Sequence, residues 1–157
     1  MSDLADELGV EGAAALPHVD ASAYVNDANI ELAWAVKCYE HAETYFKLLS
    51  AVEPSNLRLT SQDKEIRDEF AKRFGDLKID KINEDELKSK DSKAKWREFC
   101  NLFEKSVEEF NFGTLLRLDS SKGYSEENTT IVPRVQFYAI ELARNKQGLN
   151  DCHYKKA

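Results

Sequence analysis

The sequence predicts an α+β domain dominated by helix, with four main helices packed on a small two- or three-stranded sheet. Three observations predict it. Apolar residues recur at three- and four-residue steps in four separate stretches. Short alternating runs bounded by turn residues lie before the third stretch and between the third and fourth. At 157 residues the chain can bury one hydrophobic core but not two.

Residues 1–24 are rich in Ala, Gly and acidic side chains, are interrupted by Pro17 and lack apolar periodicity. They are expected to form a flexible amino-terminal arm ahead of a single domain at 25–149. At Asn26-Asp27, two good N-cap residues precede Trp34, Cys38, Ala42, Tyr45 and Leu49, one face of a long helix that stops near Pro54. Thr60, with Asp63 three residues on, has the form of a capping box, and Ile66, Phe70 and Phe74 then repeat every fourth residue up to Gly75. Leu77 and Ile79, alternating with Lys78 and Asp80, predict a short strand, and the polar stretch 83–92 has room for one helical turn. Trp96, Phe99, Cys100, Phe103, Val107 and Phe110 share one stripe, which predicts a third helix ending at Asn111 and Gly113. Residues 114–119 and 129–132 read as strands joined through a Ser120-Ser121-Lys122-Gly123 turn. Pro133 opens the last helix, Val135, Tyr138 and Leu142 lie along one face of it, and Gly148 closes it. Residues 150–157 are expected to be a frayed tail.

Composition narrows the function. The net charge of −7 argues against a nucleic-acid binder, which holds phosphates through Lys and Arg. It suits solubility and encounter with a basic partner. No apolar run approaches a membrane span. Asp3, Asp6, Glu7 and Glu11, with no basic cluster, do not make a targeting segment. Cys38, Cys100 and Cys152 are an odd set at wide spacing, a poor disulfide framework that fits a reducing cytoplasmic location. The sequon at Asn128 is therefore a chance match.

A search for chemistry finds little. The six glycines are scattered singly, so no phosphate-cradling loop exists. Cys38 and His41 have a CxxH spacing but lack further metal ligands. Ser92 and Lys95 match SxxK without its companion motifs, which makes Ser92 an N-cap. Glu108-Glu109 and Glu126-Glu127 are sequence neighbours that do not share a helix face. Trp34 and Trp96, at helical spacing, read as core. No catalytic residue, metal or cofactor is expected, and the chain reads as a protein binder and not an enzyme.

One stretch stands apart. Between Asn111 and Asn145, Arg117, Asp119, Asn128, Arg134, Gln136 and Arg144 place polar groups densely in elements central to the fold. Either Arg117 with Asp119 and Arg134 with Glu141 are ordinary surface pairs, or the region is a recognition surface anchored by Arg and aromatic residues. The second reading nominates Phe112, Leu116, Arg117, Tyr124, Asn128, Arg134, Phe137 and Arg144 as partner-binding residues.

The runs DANIELAWAVKCYEHAETYFKLLS (27–50), KAKWREFC (93–100) and FNFGTLLRLDSSKGYSEENTTIVPRVQFYAIELARNKQG (110–148) closely resemble the family of small eukaryotic proteins called polysaccharide biosynthesis domain-containing protein 1. The resemblance covers residues from about 24 to 150 and leaves out the amino-terminal arm. The long charged tail of some animal members is missing beyond His153. What the resemblance implies is a dedicated cytoplasmic chaperone for newly synthesised translation elongation factor 1-alpha, a basic client, engaging its GTP-binding domain at the ribosome among ribosome-associated factors. It implies no residue-level contacts. The competing readings are an enzyme or accessory protein in polysaccharide biosynthesis or methyl transfer, as the family name hints, and a passive adaptor.

Overall fold

Helix α1 runs over Ala21–Ala51, a stretch free of Gly and Pro that ends where Pro54 opens a short 3-10 turn. The computed structural model describes residues 21–155, with side chains from residue 31 onward. Residues 21–24, assigned to the arm from the sequence, are thus helical, and the rest of that arm lies outside the described residues. Cys38, Ala42, Tyr45 and Leu49 form the buried face of α1 as their spacing predicts.

Helix α2 follows at Asp63–Phe74 and buries Ile66 and Phe70. Its start is fixed reciprocally: the Asp63 carboxylate accepts from the Leu59 and Thr60 amides, and Thr60 Oγ1 accepts from the Gln62 amide. A single turn, α3, spans Glu84–Leu87, and α4 spans Lys90–Asn101. The cap of α4 is Ser89, whose hydroxyl accepts from the Ser92 amide, so Ser92 lies inside the helix and is not its cap. Strands β1 (Gly113–Arg117) and β2 (Thr129–Pro133) pair antiparallel, from Gly113 opposite Pro133 to Arg117 opposite Thr129. Helix α5, Arg134–Gln147, begins directly after β2 and ends at Gly148, whose φ of 79° is the left-handed cap glycine tolerates best.

The α+β class is as the sequence predicts, with a sheet of two strands. The strand expected at Leu77–Ile79 is absent: the chain there is held to the sheet edge by one bridge, Lys81 to Asp119, and by amide bonds from Ile82 to Leu118 and from Ser120 to Asp80. The third helix is shorter than its stripe. After Asn101 the chain continues through turns with bonds such as Leu102 to Phe99 and Ser106 to Phe103, and a single four-residue turn closed by the Val107 amide on the Phe103 carbonyl keeps both side chains inward without a continuous α-helix. The tail is not frayed through residue 155. Asn150 is buried, Asp151–His153 form a 3-10 turn, and the Lys155 amide bonds to the Ser50 carbonyl on α1.

The core lies between α1, α2, α4, α5 and the sheet. An aromatic stack anchors one end: Phe74 and Trp96 lie parallel with centroids 4.0 Å apart, and Phe99 meets both rings edge-on. At the other end α1 crosses the sheet, where Trp34 lies so close to Gly113 that a side chain there would meet the indole at 2.6 Å. Glycine at 113 is what lets the helix approach the strand.

Candidate functional site

The densely polar region folds inward. Glu141 on α5 is fully buried between two fully buried guanidiniums, Arg117 from β1 and Arg144 one helical turn on. Its Oε1 accepts from Tyr45 Oη at 2.9 Å, Arg117 Nη2 at 3.0 Å and Asn150 Nδ2 at 2.9 Å, and its Oε2 from Arg144 Nη1 at 2.7 Å. Arg144 also donates to the Ile79 and Leu118 carbonyls. Arg117 donates to the Ser120 carbonyl and Asn150 Oδ1, and its guanidinium sits 5.8 Å from the Phe46 ring centroid and 5.6 Å from that of Tyr124. Asn145 and Asn150 close the network onto Tyr45.

Burial is the largest single influence on Glu141 and pushes its pKa up, yet the two guanidiniums and the Tyr45 hydroxyl together outweigh it and hold the carboxyl at about 2. The same burial, with Glu141 beside it, raises the Tyr45 hydroxyl well above its ordinary value. Two cations and one carboxylate are thus shut away from water, each held by several bonds, with Arg117 Nε alone among their polar atoms left without a partner. Such a cluster fixes the relative placement of β1, α5, α1 and the tail.

A second cluster sits where α1 crosses the sheet. Arg134 pairs with Glu109 at 3.7 Å and stacks over Phe112 at 4.9 Å. His41 Nδ1 meets Thr114 Oγ1 at 2.5 Å, and the Cys38 thiol donates to the Gly113 carbonyl. Burial, then Arg134, lowers the His41 pKa to about 4, while burial raises the Cys38 thiol to about 11. At neutral pH the imidazole is therefore uncharged and the thiol protonated, a structural pair and not a nucleophile with its base. Among the described residues no group of three or more His, Cys, Asp or Glu side chains is placed to hold a metal ion.

These positions correct the nomination made from the sequence. Phe112, Leu116, Arg117, Asn128, Arg134, Phe137 and Arg144 are buried and Tyr124 is half-buried, so they are interior groups and not exposed anchors. The surface pairings are corrected too: Arg117 pairs with Glu141 and not Asp119, and Arg134 with Glu109 and not Glu141. Asn128 instead locks the β1–β2 connection, accepting from the Asp119 amide and donating to the Asp119 and Gly123 carbonyls.

The surface that sequence reasoning missed is on α1. Leu32, Val36 and Tyr39 are 64%, 47% and 57% exposed and recur at steps of four and three on the face away from the buried stripe. Exposed Glu31, Glu40 and Glu43 flank them. The signal was legible, because a helix burying one face has no need of a second apolar line. No helix among the described residues is long and apolar enough to cross a membrane.

Comparison with known proteins gives a consistent set of relatives. The family described as PBDC1 protein, the polysaccharide biosynthesis domain-containing proteins, matches residues 30–155. Protein PBDC1 of Homo sapiens is 54% identical over 134 residues, covering 85% of this chain and 58% of the human protein, so the chain spans little more than half the length of that relative. The PBDC1 homolog of Saccharomyces cerevisiae is 51% identical over 130 residues, covering 80% of this chain and 89% of the yeast protein. A solution NMR structure of protein yst0336 from the same yeast superposes with a TM-score of 0.74 at 50% identity, covering 80% of this chain and 89% of that one.

Proposed function

We propose that this chain, which belongs to the PBDC1 family, is a dedicated cytoplasmic chaperone for newly synthesised translation elongation factor 1-alpha, holding its GTP-binding domain until it folds. The family resemblance supplies the client. The observation that supports a protein-binding role is the exposed apolar line Leu32, Val36 and Tyr39 with its acidic flank. A half-made GTPase domain exposes apolar surface that would otherwise aggregate, and an apolar strip can cover it. The carboxylates Glu31, Glu40 and Glu43, on a chain of net charge −7, speed encounter with a basic client. The perturbed groups of the interior are each taken up by an internal partner, Glu141 by Tyr45 and two arginines, His41 by Thr114 and Cys38 by the Gly113 carbonyl, which supports a scaffold that presents a surface.

The test is capture on the tagged chain from a eukaryotic cytosolic extract at low salt, comparing the parent with Val36→Asp/Tyr39→Asp. Both positions are exposed, so the variant keeps its fold. The expected result is recovery of elongation factor 1-alpha, enriched as incomplete chains on ribosomes, by the parent and its loss by the variant. Absence of the factor, with enrichment of a glycosylation or methylation enzyme, would overturn the proposal in favour of sugar or methyl transfer. A client that folds normally without this protein would reduce it to an adaptor.

A further inference from the structure

Helix α4 carries a local reversal of charge. In the ten residues 88–97, five cations, Lys88, Lys90, Lys93, Lys95 and Arg97, face one carboxylate, Asp91, in a chain whose net charge is −7. Four of the five line two hollows on either side of the helix, Lys95 the larger and Lys88, Lys93 and Arg97 the smaller. The larger, about 760 Å³, has Asp76, Glu86 and Asp91 among its lining residues, which offset part of the positive charge of its lysines and Arg73. The smaller, about 470 Å³, is lined by Lys88, Lys93 and Arg97 and by no carboxylate. Its walls include half-buried Phe110 and Pro133, and buried Trp96 contributes to its floor.

We propose that this smaller groove is a docking site for an acidic segment of a partner protein, with one apolar side chain seated against Phe110 and Pro133 and flanking carboxylates held by Lys93 and Arg97. Lys93 and Arg97 are exposed, lie one turn apart, and make no ion pair among the described residues. Arg97 offers a planar fork suited to a carboxylate. Lys88 is oriented from below: its ammonium donates to the Ile131 carbonyl of β2. Burial, then the charge of Lys93, lowers the Lys88 pKa, so an anion between the two ammoniums relieves a repulsion already present.

The chemistry favours a peptide over a nucleic acid. Trp96 is stacked face to face on Phe74 and buried, so it offers no face to a base. Three cations on an acidic chain are few for a phosphate backbone. Strand addition is disfavoured as well, because Lys88 already occupies the Ile131 carbonyl, a common way to blunt a strand edge. Recognition is therefore through side chains in a groove.

This site lies on a different helix from the α1 strip, so its success or failure is independent of the client proposal. The test uses the full chain and three fluorescein-labelled probes: a short peptide of Glu and Asp around a Leu-Phe pair, an oligoglutamate of equal charge, and a single-stranded oligouridylate. The expected result is micromolar, salt-sensitive binding of the first peptide, weaker binding of oligoglutamate, and a loss of at least about tenfold in Lys93→Glu/Arg97→Glu, with Val36→Asp/Tyr39→Asp unaffected. Circular dichroism and thermal unfolding establish that both variants are folded. Absence of peptide binding, peptide binding unchanged in Lys93→Glu/Arg97→Glu, or tighter binding of the oligouridylate would each overturn the proposal.

Discussion

Replacing Glu141 by Gln changes almost no volume and removes one charge. It leaves Arg117 and Arg144, both at 0% exposure, without a counter-ion. If the amide oxygen keeps the three donors now on Oε1, its NH2 group points at Arg144 Nη1 from 2.7 Å, donor against donor. Flipping the amide sets the NH2 group against Tyr45, Arg117 and Asn150 instead. Breaking a buried ion pair from one side costs about 3–5 kcal/mol. With an unfolding entropy of ~2.1 cal/mol/K per residue, that is a fall in Tm of about 10–15 °C for a domain of this length. The loss is comparable with the lower end of total domain stability, about 5 kcal/mol. Differential scanning calorimetry at neutral pH measures it directly, and urea unfolding gives the free energy. A Tm within about 3 °C of the parent would refute the reasoning, since it would mean the two guanidiniums find solvent or other acceptors at little cost.

Acid weakens the fold in two steps of known sign. His41 has a folded pKa of about 4, below the ordinary 6.5, so the unfolded chain binds the proton first and stability falls as pH drops from about 6.5 to about 4. Glu141, held at about 2 against an ordinary 4.5, contributes stability that is lost between those two values. Urea midpoints measured against pH should show both steps in the parent; His41→Phe should lack the first and Glu141→Gln the second. Gly113→Ala would drive a methyl to 2.6 Å from the Trp34 ring, an overpacking that should cost about 1–3 kcal/mol, read as a lower urea midpoint with an unchanged slope. Charge reversal at Arg117 and Arg134 together should abolish cooperative unfolding, since both side chains are interior.

Local signals in the sequence carried well where one residue determines backbone geometry. Pro133 and Gly148 bracket α5 within one residue, and the buried stripe of α1 is the one its spacing names. They carried less well where two geometries share a period. The apolar steps from Phe99 to Phe110 suit an α-helix, yet beyond Asn101 they belong to successive turns, and Glu109 adopts a φ of 58° that no helix contains. The alternation at Leu77–Ile79 reports burial of Ile79 correctly, but a ladder needs a partner with free bonding groups, and the edge beside it offers a single bridge.

The site was half legible. Density of Arg, Asn and Gln in central elements marked the right region, but composition does not say whether a guanidinium faces solvent or the interior. Glu141 and Arg144, three residues apart on a helix, look like a common surface pair. What turns them inward is Arg117, 24 residues away on β1, and the docking of Asn150, which only the fold brings together. The apolar line on α1 is also present in the sequence, but the buried stripe alone is enough to place the helix, so spacing does not single the second line out.

The measurement that bears most directly on the chaperone account is the affinity of the purified chain for the GTP-binding domain of elongation factor 1-alpha, unfolded and then refolded, at zero and at saturating GTP. The account predicts tight binding to the nucleotide-free, incompletely folded domain, loss of that binding in Val36→Asp/Tyr39→Asp, and release by GTP, because a ligand shifts such an equilibrium only through its preference for one state. Equal affinity with and without GTP would remove the release step, and equal affinity of parent and variant would remove the α1 strip from the contact.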